Sequence, residues 1–376
     1  DYITPKAPKG EKPYRFNWQT PILLSSHNQD ILYMGSEFLH RSMNQGETWE
    51  KISGDLTNGA KEGNVAFGTI TTISESKFQF GLLYTGSDDG KIHVSKDGGV
   101  SWQLISGNLP QNLWVSRVVA SNHKKERVYA TLNGYRNDIF ESYVFVSEDF
   151  GATWALISNG LTQAVNVIVE DSVNENILYV GTDNGLFISL NKGIAWQDFS
   201  RGMPNVAVHD AVIQSKTKEL IVGTHGRSIY KIDISKVQEL SDPILNKSLH
   251  LFELNDRIKS ERWGSKGYNW GEIAEPTQVI WLYSNTEGIV TISIKNEAGI
   301  IVYTQKLATK NGLNSFIYDY SISSKAVEEW NKKDTKIKIK LAENKKFYLP
   351  IGKYKVTISK DNHTETKSFQ VNPPKK

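Results

Sequence analysis

The chain contains no cysteine, which excludes a disulfide, a thiolate nucleophile and a thiolate-ligated metal centre, and leaves the redox compartment unreadable. Long apolar runs are also missing: none approaches the roughly 20 residues that a membrane-crossing helix requires. Helical patterning is scarce, and only Ser324–Lys333 repeats apolar residues (Ala326, Val327, Trp330) at helical spacing. The eight histidines show no ligand spacing; His209, Asp210 and His225 come nearest to a metal set, and neither a metal nor another cofactor is expected. The start of the chain has neither a charged segment leading into an apolar core nor a cleavage site. It opens on Asp1 and reads as a mature, processed or truncated piece.

What is present points to strands. Twenty-nine glycines accompany ten tryptophans and sixteen tyrosines, and strands favour aromatic residues while tight hairpins need glycine at positive φ. A length of 376 residues suits two hydrophobic cores better than one. The net charge of +3 conceals a division: residues 1–240 carry 22 basic and 26 acidic side chains, whereas 241–376 carry 22 and 15. The acidic N-terminal part would repel a phosphate backbone, so nucleic acid is not expected as a partner. In the basic part lysines alternate with apolar residues, as in Lys336–Lys340 (KIKIK), the pattern of a solvated strand face that also protects an edge.

The chain repeats itself. An apolar run with a tyrosine (Ile31–Ser36, Leu83–Ser87, Val128–Thr131, Ile177–Thr182) is followed each time by an eight-residue box. The boxes begin at Ser42, Ser95, Ser147 and Ser189, continue through Asn44, Asp97, Asp149 and Asn191 and then Gly46, Gly99, Gly151 and Gly193, and end at Trp49, Trp102, Trp154 and Trp196. A fifth unit, Leu220–Thr224 followed by Ser228–Asp233, lacks the box. Spacings of roughly 40 to 50 residues suit a four-stranded unit repeated about an axis.

The boxes resemble the Asp-box, Ser-x-Asp-x-Gly-x-Thr-Trp, of the BNR-repeat β-propellers, a group that includes sialidases, sortilin-type receptors and two-propeller xyloglucan-degrading glycosidases. Asn44 and Asn191 replace the Asp, Ser101 and Ala195 replace the Thr, and the box at 147–154 fits throughout. The resemblance extends to large secreted bacterial BNR proteins described as sortilin-like or glycosyl-hydrolase-like, through Tyr14–Ile22 (YRFNWQTPI), Gly46–Glu50, Ser53–Thr57, Gly223–Tyr230 (GTHGRSIY) and Leu349–Thr357. It implies an all-β chain in which residues 1–234 form a propeller segment. About five blades are visible, as the C-terminal portion of a protein that can carry more blades, or a whole second propeller, upstream. Physically the box should be a structural hairpin turn: Ser and Asp or Asn bind nearby backbone, Gly adopts the left-handed conformation, and Trp is largely buried between blades. Asp97 and Asp149 are accordingly poor catalytic candidates.

Residues 235–275, with Trp263, Tyr268 and Trp270, read as a connector whose rings pack the domains together. In 276–376 the segments 277–284, 288–295, 299–307, 315–321, 336–341, 352–359 and 365–371 alternate as strands of a β-sandwich of immunoglobulin-like or fibronectin-like kind, an accessory module.

A propeller's default binding site is the mouth where its innermost strands begin. Those strands should lie near 18–24, 68–73, 116–121, 165–169 and 208–213. Their entries and the facing turns gather Trp18, Trp114, Arg117, His209, Asp210, His225 and Arg227, with Asn17, Asn166 and the insertion Gly134–Asp138 beside them. The turns Asp88-Asp89-Gly90 and Asp183-Asn184-Gly185 are ordinary hairpin chemistry. No sialidase Arg-Ile-Pro start is present, and the paired carboxylates of a glycosidase are not evident. The chain therefore reads as a secreted or cell-surface recognition or scaffold protein that binds a protein, peptide or glycan without catalysis of its own. Two alternatives stand beside that reading: half of a two-propeller polysaccharide hydrolase, and a subunit of a bacterial envelope assembly.

Overall fold

A computed structural model describes residues 3–63, 66–268, 270–333 and 338–374, and the chain divides into two compact units, Asp1–Gln238 and Glu239–Lys376.

The first unit is a series of up-and-down antiparallel sheets, each completed before the next begins. Blade one comprises Ile22–Leu24, Leu32–Gly35, Leu39–Ser42 and Glu50–Lys51; blade two Ile70–Glu75, Leu83–Ser87, Ile92–Ser95 and Gln103–Leu104. Blade three comprises Trp114–Ala120, Val128–Asn133, Tyr143–Ser147 and Ala155–Leu156; blade four Val165–Glu170, Leu178–Thr182, Gly185–Ser189 and Gln197–Asp198. Blade five has Val208–Gln214, Glu219–Thr224 and Ile229–Asp233. This is a β-propeller architecture. The second strand of each of the first four blades is buried along its whole length; blades two to four lie inside the series and are covered on both faces. That double burial explains why these segments read as unbroken apolar runs. Tyr33, Tyr84, Tyr129 and Tyr179 occupy one equivalent position there and are at most 1% exposed.

Two residues beyond three of these tyrosines stands a glycine that lets the next blade approach. A Cβ at Gly35, Gly86 or Gly181 would lie 2.8, 2.4 or 2.5 Å from a side-chain carbon of Ile70, Val115 or Val208, at the start of the next inner strand. Such distances exclude a side chain without movement of the neighbouring blade.

The boxes are the hairpin turns that the sequence predicts. In each, the Ser hydroxyl accepts the Gly N–H (Gly46, Gly99, Gly151, Gly193) at 2.7–2.8 Å. The Asn or Asp carboxyl or amide oxygen accepts the N–H four residues on, at 2.8–3.0 Å. All four glycines have φ between 87° and 96°, a left-handed conformation that costs other residues energy. The tryptophans are half-buried rather than largely buried, because each indole lies on the rim. Its Nε1–H donates to the carbonyl of an isoleucine on the preceding turn of the structure: Trp49 to Ile3, Trp102 to Ile52, Trp154 to Ile105 and Trp196 to Ile157, at 2.6–2.9 Å.

The second unit has two sheets. One runs Leu249–Leu251, Gln278–Ser284, Gly312–Tyr318; the other Arg257–Ile258, His363–Asn372, Gly352–Lys360, Gly288–Asn296, Ile301–Thr309. Their inner faces share one core that includes Leu251, Ile280, Leu282, Ile292, Ile294, Phe316, Val356 and Val371, so the unit is a β-sandwich. Ser324–Lys333 is a helix, and its Ala326, Val327 and Trp330 are buried as their spacing predicts. The strand expected over 336–341 is not formed where it is described: 336 and 337 lie outside the described residues, 338–340 are irregular, and Leu341 makes only an isolated bridge to Phe347. Alternation supplied a pattern there but no ladder partner. The stretch 235–275 differs from a plain connector, since it contributes the short sandwich strands Leu249–Leu251 and Arg257–Ile258. Trp263 belongs to the sandwich core, against Tyr320 and Tyr348, and Tyr268 and Trp270 pack on one another while remaining exposed.

Candidate functional site

The inner strands do not run straight into their ladders. Pairing with the second strand slips by one residue between Ile70 and Thr72, between Val165 and Val167, and between Val208 and Asp210, and blade three shows the same slip opposite Thr131 and Leu132. The bypassed residues are Thr71, Ser116, Asn166 and His209. A bulge removes one residue from the ladder and re-aims its side chain. All four of these side chains line one cavity of about 760 Å³. The local cause is the same each time: a β-branched residue is fixed against the preceding blade, and the polar residue after it is free to turn inward. Two of the four also tie neighbouring blades together, since Thr71 Oγ1 donates to the Val115 carbonyl (2.7 Å) and Ser116 Oγ to that of Val165 (2.8 Å).

Of the seven mouth residues expected from the sequence, Trp18, Trp114, Arg117, His209, Asp210 and His225 line this cavity. Arg227 does not; it is exposed on the turn after blade five's second strand, beyond the cavity lining. Asn17 and Asn166 also line it, as do Arg136, from the insertion Gly134–Asp138 placed beside the mouth by the sequence, and Asn133, which pattern reading did not single out.

Arg136 comes from the 3₁₀ turn Tyr135–Asn137 within the insertion, and its guanidinium lies 4.0 Å from the centre of the Trp114 ring, a cation–π stack that holds both planes at the mouth. Across the cavity Arg117 Nη2 donates to Asp210 Oδ1 at 2.7 Å, joining blades three and five, while its Nε is buried and donates to none of the described residues. An amide relay runs from Asn133 Nδ2 to Asn166 Oδ1 and from Asn166 Nδ2 to Asp183 Oδ1, each at 2.8 Å. The rings of His209 and His225 are 5.1 Å apart. Burial, and then the neighbouring His225 and Arg136, hold the His209 pKa below the usual histidine value, so His209 is a neutral hydrogen-bonding group at neutral pH.

The acidic turn of blade two has a different task. Asp88 is buried and accepts from Gly68 N, Thr69 N and Thr69 Oγ1, and Asp89 accepts from Ser87 Oγ and Asn58 N; they fix the turn. Asp97 and Asp149 are wholly engaged in their boxes on the rim. Among the described residues no group of three His, Asp or Glu is placed to hold a metal ion, and no helix is long and apolar enough to cross a membrane.

No family model matches the chain, and no curated protein does. Solved structures align with it at low identity. The GH74 xyloglucanase from Xanthomonas campestris aligns with a TM-score of 0.47 and 10% identity over 96% of this chain and 55% of its own. GH74 from Niastella koreensis aligns at 0.48 and 11%, over 95% of this chain and 54% of its own. YCF48 bound to a D1 peptide aligns at 0.40 and 12%, over 58% and 66%. The chain thus spans about half the length of these GH74 enzymes.

Proposed function

We propose that this chain is a recognition protein, acting outside the cell or at its surface, which binds a protein, peptide or glycan segment at the propeller mouth, with the sandwich as a spacer or docking module. One observation carries the reading: side chains from blades three to five, together with Trp18 and the Trp114–Arg136 stack, converge on one open cavity. Planar aromatic and guanidinium groups held in place combine apolar contact with directed hydrogen bonds at small entropic cost, the chemistry of binding hot spots. The polysaccharide-hydrolase alternative needs two carboxylates across the scissile bond. Asp210 is the one carboxylate among the described lining residues, and it is ion-paired with Arg117, which favours binding over hydrolysis. The test is titration of peptide and oligosaccharide panels against the wild type, Trp114→Ala and Arg136→Ala, with melting temperatures in parallel. Weakening by about 1–3 kcal/mol at unchanged melting temperature supports the proposal; unchanged affinity for every ligand that binds overturns it.

A further inference from the structure

The outer face of the sandwich's five-stranded sheet is built almost wholly of hydroxyls and ammonium groups. Residues paired across neighbouring strands project from the same face, so the register gives its rows. Thr304, Ser293, Thr357 and Thr366 form one unbroken hydroxyl row across four strands. The row on one side of it starts with Lys306 and continues through Thr291 and Ser359, and the row on the other side holds Lys295 and Lys355, with Lys353 one row further. The residues between them in sequence, such as Ile292, Ile294, Val356 and Ile358, fill the core. Neighbouring strands lie about 4.8 Å apart and successive rows about 7 Å. The face is therefore a regular lattice of hydroxyls bounded by cations.

All four lysines are exposed, and none is ion-paired among the described residues, whereas Lys247, Lys346 and Lys367 of the same unit are paired with Glu365, Asp319 and Glu253. The one carboxylate of the two long strands nearest them, Glu365, pairs in register with the buried Ile358 and so projects from the opposite face. An ordinary solvated face mixes both signs of charge. Edge protection does not account for these lysines either, since Lys295, Lys353 and Lys355 lie on strands that are paired on both sides. Lys295 and Lys355 are moreover direct cross-strand partners, and like charges so placed destabilise a sheet. A local cost of this kind, with no counter-charge supplied beside it, is characteristic of a functional surface.

We infer that this face binds an acidic polysaccharide, whose anionic groups sit among the four ammoniums and whose hydroxyls exchange hydrogen bonds with the Ser and Thr lattice. The side-chain types decide among polyanions. Protein interfaces are enriched in aromatic residues, Met and Arg and depleted in Lys and Ser. Single-stranded nucleic acid needs rings on which its bases stack, and no ring projects from these rows. A bilayer needs apolar side chains that enter it, whereas the exposed Ile258, Ile289 and Ile301 stand at the margins of the face. A hydroxyl both donates and accepts, which matches a ligand rich in hydroxyls. The face shares no residue with the propeller mouth, and the inference does not depend on what the mouth binds.

The test is binding of fluorescent oligomers to the 376-residue chain: polygalacturonate, which carries carboxylates, dextran sulfate, which carries sulfates, and uncharged dextran, with phosphatidylglycerol vesicles alongside. Expected is saturable binding of at least one acidic oligomer, weakened by salt, and none of dextran. Lys295→Gln, Lys306→Gln, Lys353→Gln and Lys355→Gln together should weaken it roughly 20-fold or more, at about 1.5- to 5-fold per lysine. The same change at Lys325, Lys332, Lys338 and Lys340, exposed elsewhere on the unit, removes equal charge and should have little effect. The triple variant Ser293→Ala, Thr357→Val, Thr366→Val keeps every charge and should weaken binding about 5-fold or more. Lys355→Gln alone should leave the melting temperature unchanged or raise it; a clear fall would show that the lysine serves the fold, and overturns the inference. Failure of both acidic oligomers to bind overturns it as well. So does equal weakening by the two lysine sets, which would be an effect of net charge, or binding unaltered in the hydroxyl variant, which would be ion exchange. Tighter binding to the vesicles would make the face a lipid-docking surface instead. Trp114→Ala and Arg136→Ala should leave this binding unchanged, so the readings of the face and of the mouth fail independently.

Discussion

Two series of equivalent residues run through the propeller, the boxes on blades one to four and the bulges on blades two to five, and they differ in how far they vary. On the rim, the box positions repeat one chemistry: Ser, Asn or Asp, Gly and Trp recur with hydrogen bonds that agree to within a few tenths of an ångström. At the mouth, the bulge positions repeat one geometry with four different side chains, Thr71, Ser116, Asn166 and His209. A position whose task is to close a turn admits few solutions, since the left-handed glycine and the hydroxyl beneath it are set by backbone sterics. A position that only projects a side chain into a cavity imposes no such demand. Within one chain, uniformity therefore marks structure and variety marks where recognition can be built.

The comparison breaks first, and most severely, at the rim. Trp154→Ala removes an indole wedged between blades and leaves the Ile105 carbonyl without its 2.8 Å donor. The expected loss is about 2–4 kcal/mol, toward the low side of large aromatic truncations because the ring is half-buried. Trp154→Phe keeps most of the packing and loses the hydrogen bond, at about 1 kcal/mol. Chemical denaturation of the two variants separates packing from hydrogen bonding, and equal losses would show that the ring contributes only its donor. Gly86→Ala tests the joint beneath: its Cβ would sit 2.4 Å from Val115 Cγ1, and overpacking of this kind costs about 1–3 kcal/mol.

At the mouth the effects should be smaller on stability and larger on binding. Asn166→Ala cuts the relay between Asn133 and Asp183 at a partly exposed site, with an expected change in stability of about 1 kcal/mol. If Asn166→Ala and Ser147→Ala destabilise equally, the two series do not differ in kind. Ser147 supports both the box glycine N–H and the Asp149 side chain, so its loss should exceed that of Asn166.

The rim was legible in the sequence because its chemistry is local: all its partners but the tryptophan's lie within eight residues, and the pattern recurs. The second strands and the helix at Ser324–Lys333 were legible for the same reason, the strands as repeated unbroken apolar runs and the helix by its own periodicity. The mouth was legible only as a list. Pattern reading placed Trp114, Arg117, His209 and Asp210 near strand entries, but the bulge that turns His209 inward follows from how Val208 packs on Gly181, which lies upstream on another blade. The stack of Arg136 on Trp114 depends on a turn inserted between strands, which no repeat encodes. Arg227 was placed with the mouth because its turn lies at that level of the fold, although its own side chain is not among those lining the cavity. The sandwich strands at Leu249–Leu251 and Arg257–Ile258 are too short to alternate visibly, and their existence depends on partners far along the chain.

The finest difference is between the boxes themselves, two of which carry Asp and two Asn. Asp149 has its pKa lowered to about 2, first by the Thr153 hydroxyl that donates to it and then by the Thr153 N–H, and Asp97 is lowered in the same manner by Ser101. The ordinary value in an unfolded chain is about 4. A carboxyl whose folded pKa is the lower one binds fewer protons folded than unfolded, so its contribution is complete above about pH 4 and is lost as pH falls towards about 2. Asn44 and Asn191 accept the equivalent backbone N–H at 2.9 and 3.0 Å and do not titrate. The double variant Asp97→Asn, Asp149→Asn should therefore melt within a few degrees of the wild type at pH 7 and lose less of its melting temperature between about pH 4 and pH 2. Melting curves across that range decide it. Parallel acid limbs for the two proteins would mean that the aspartates act in the boxes only as acceptors and that their charge contributes nothing that asparagine does not.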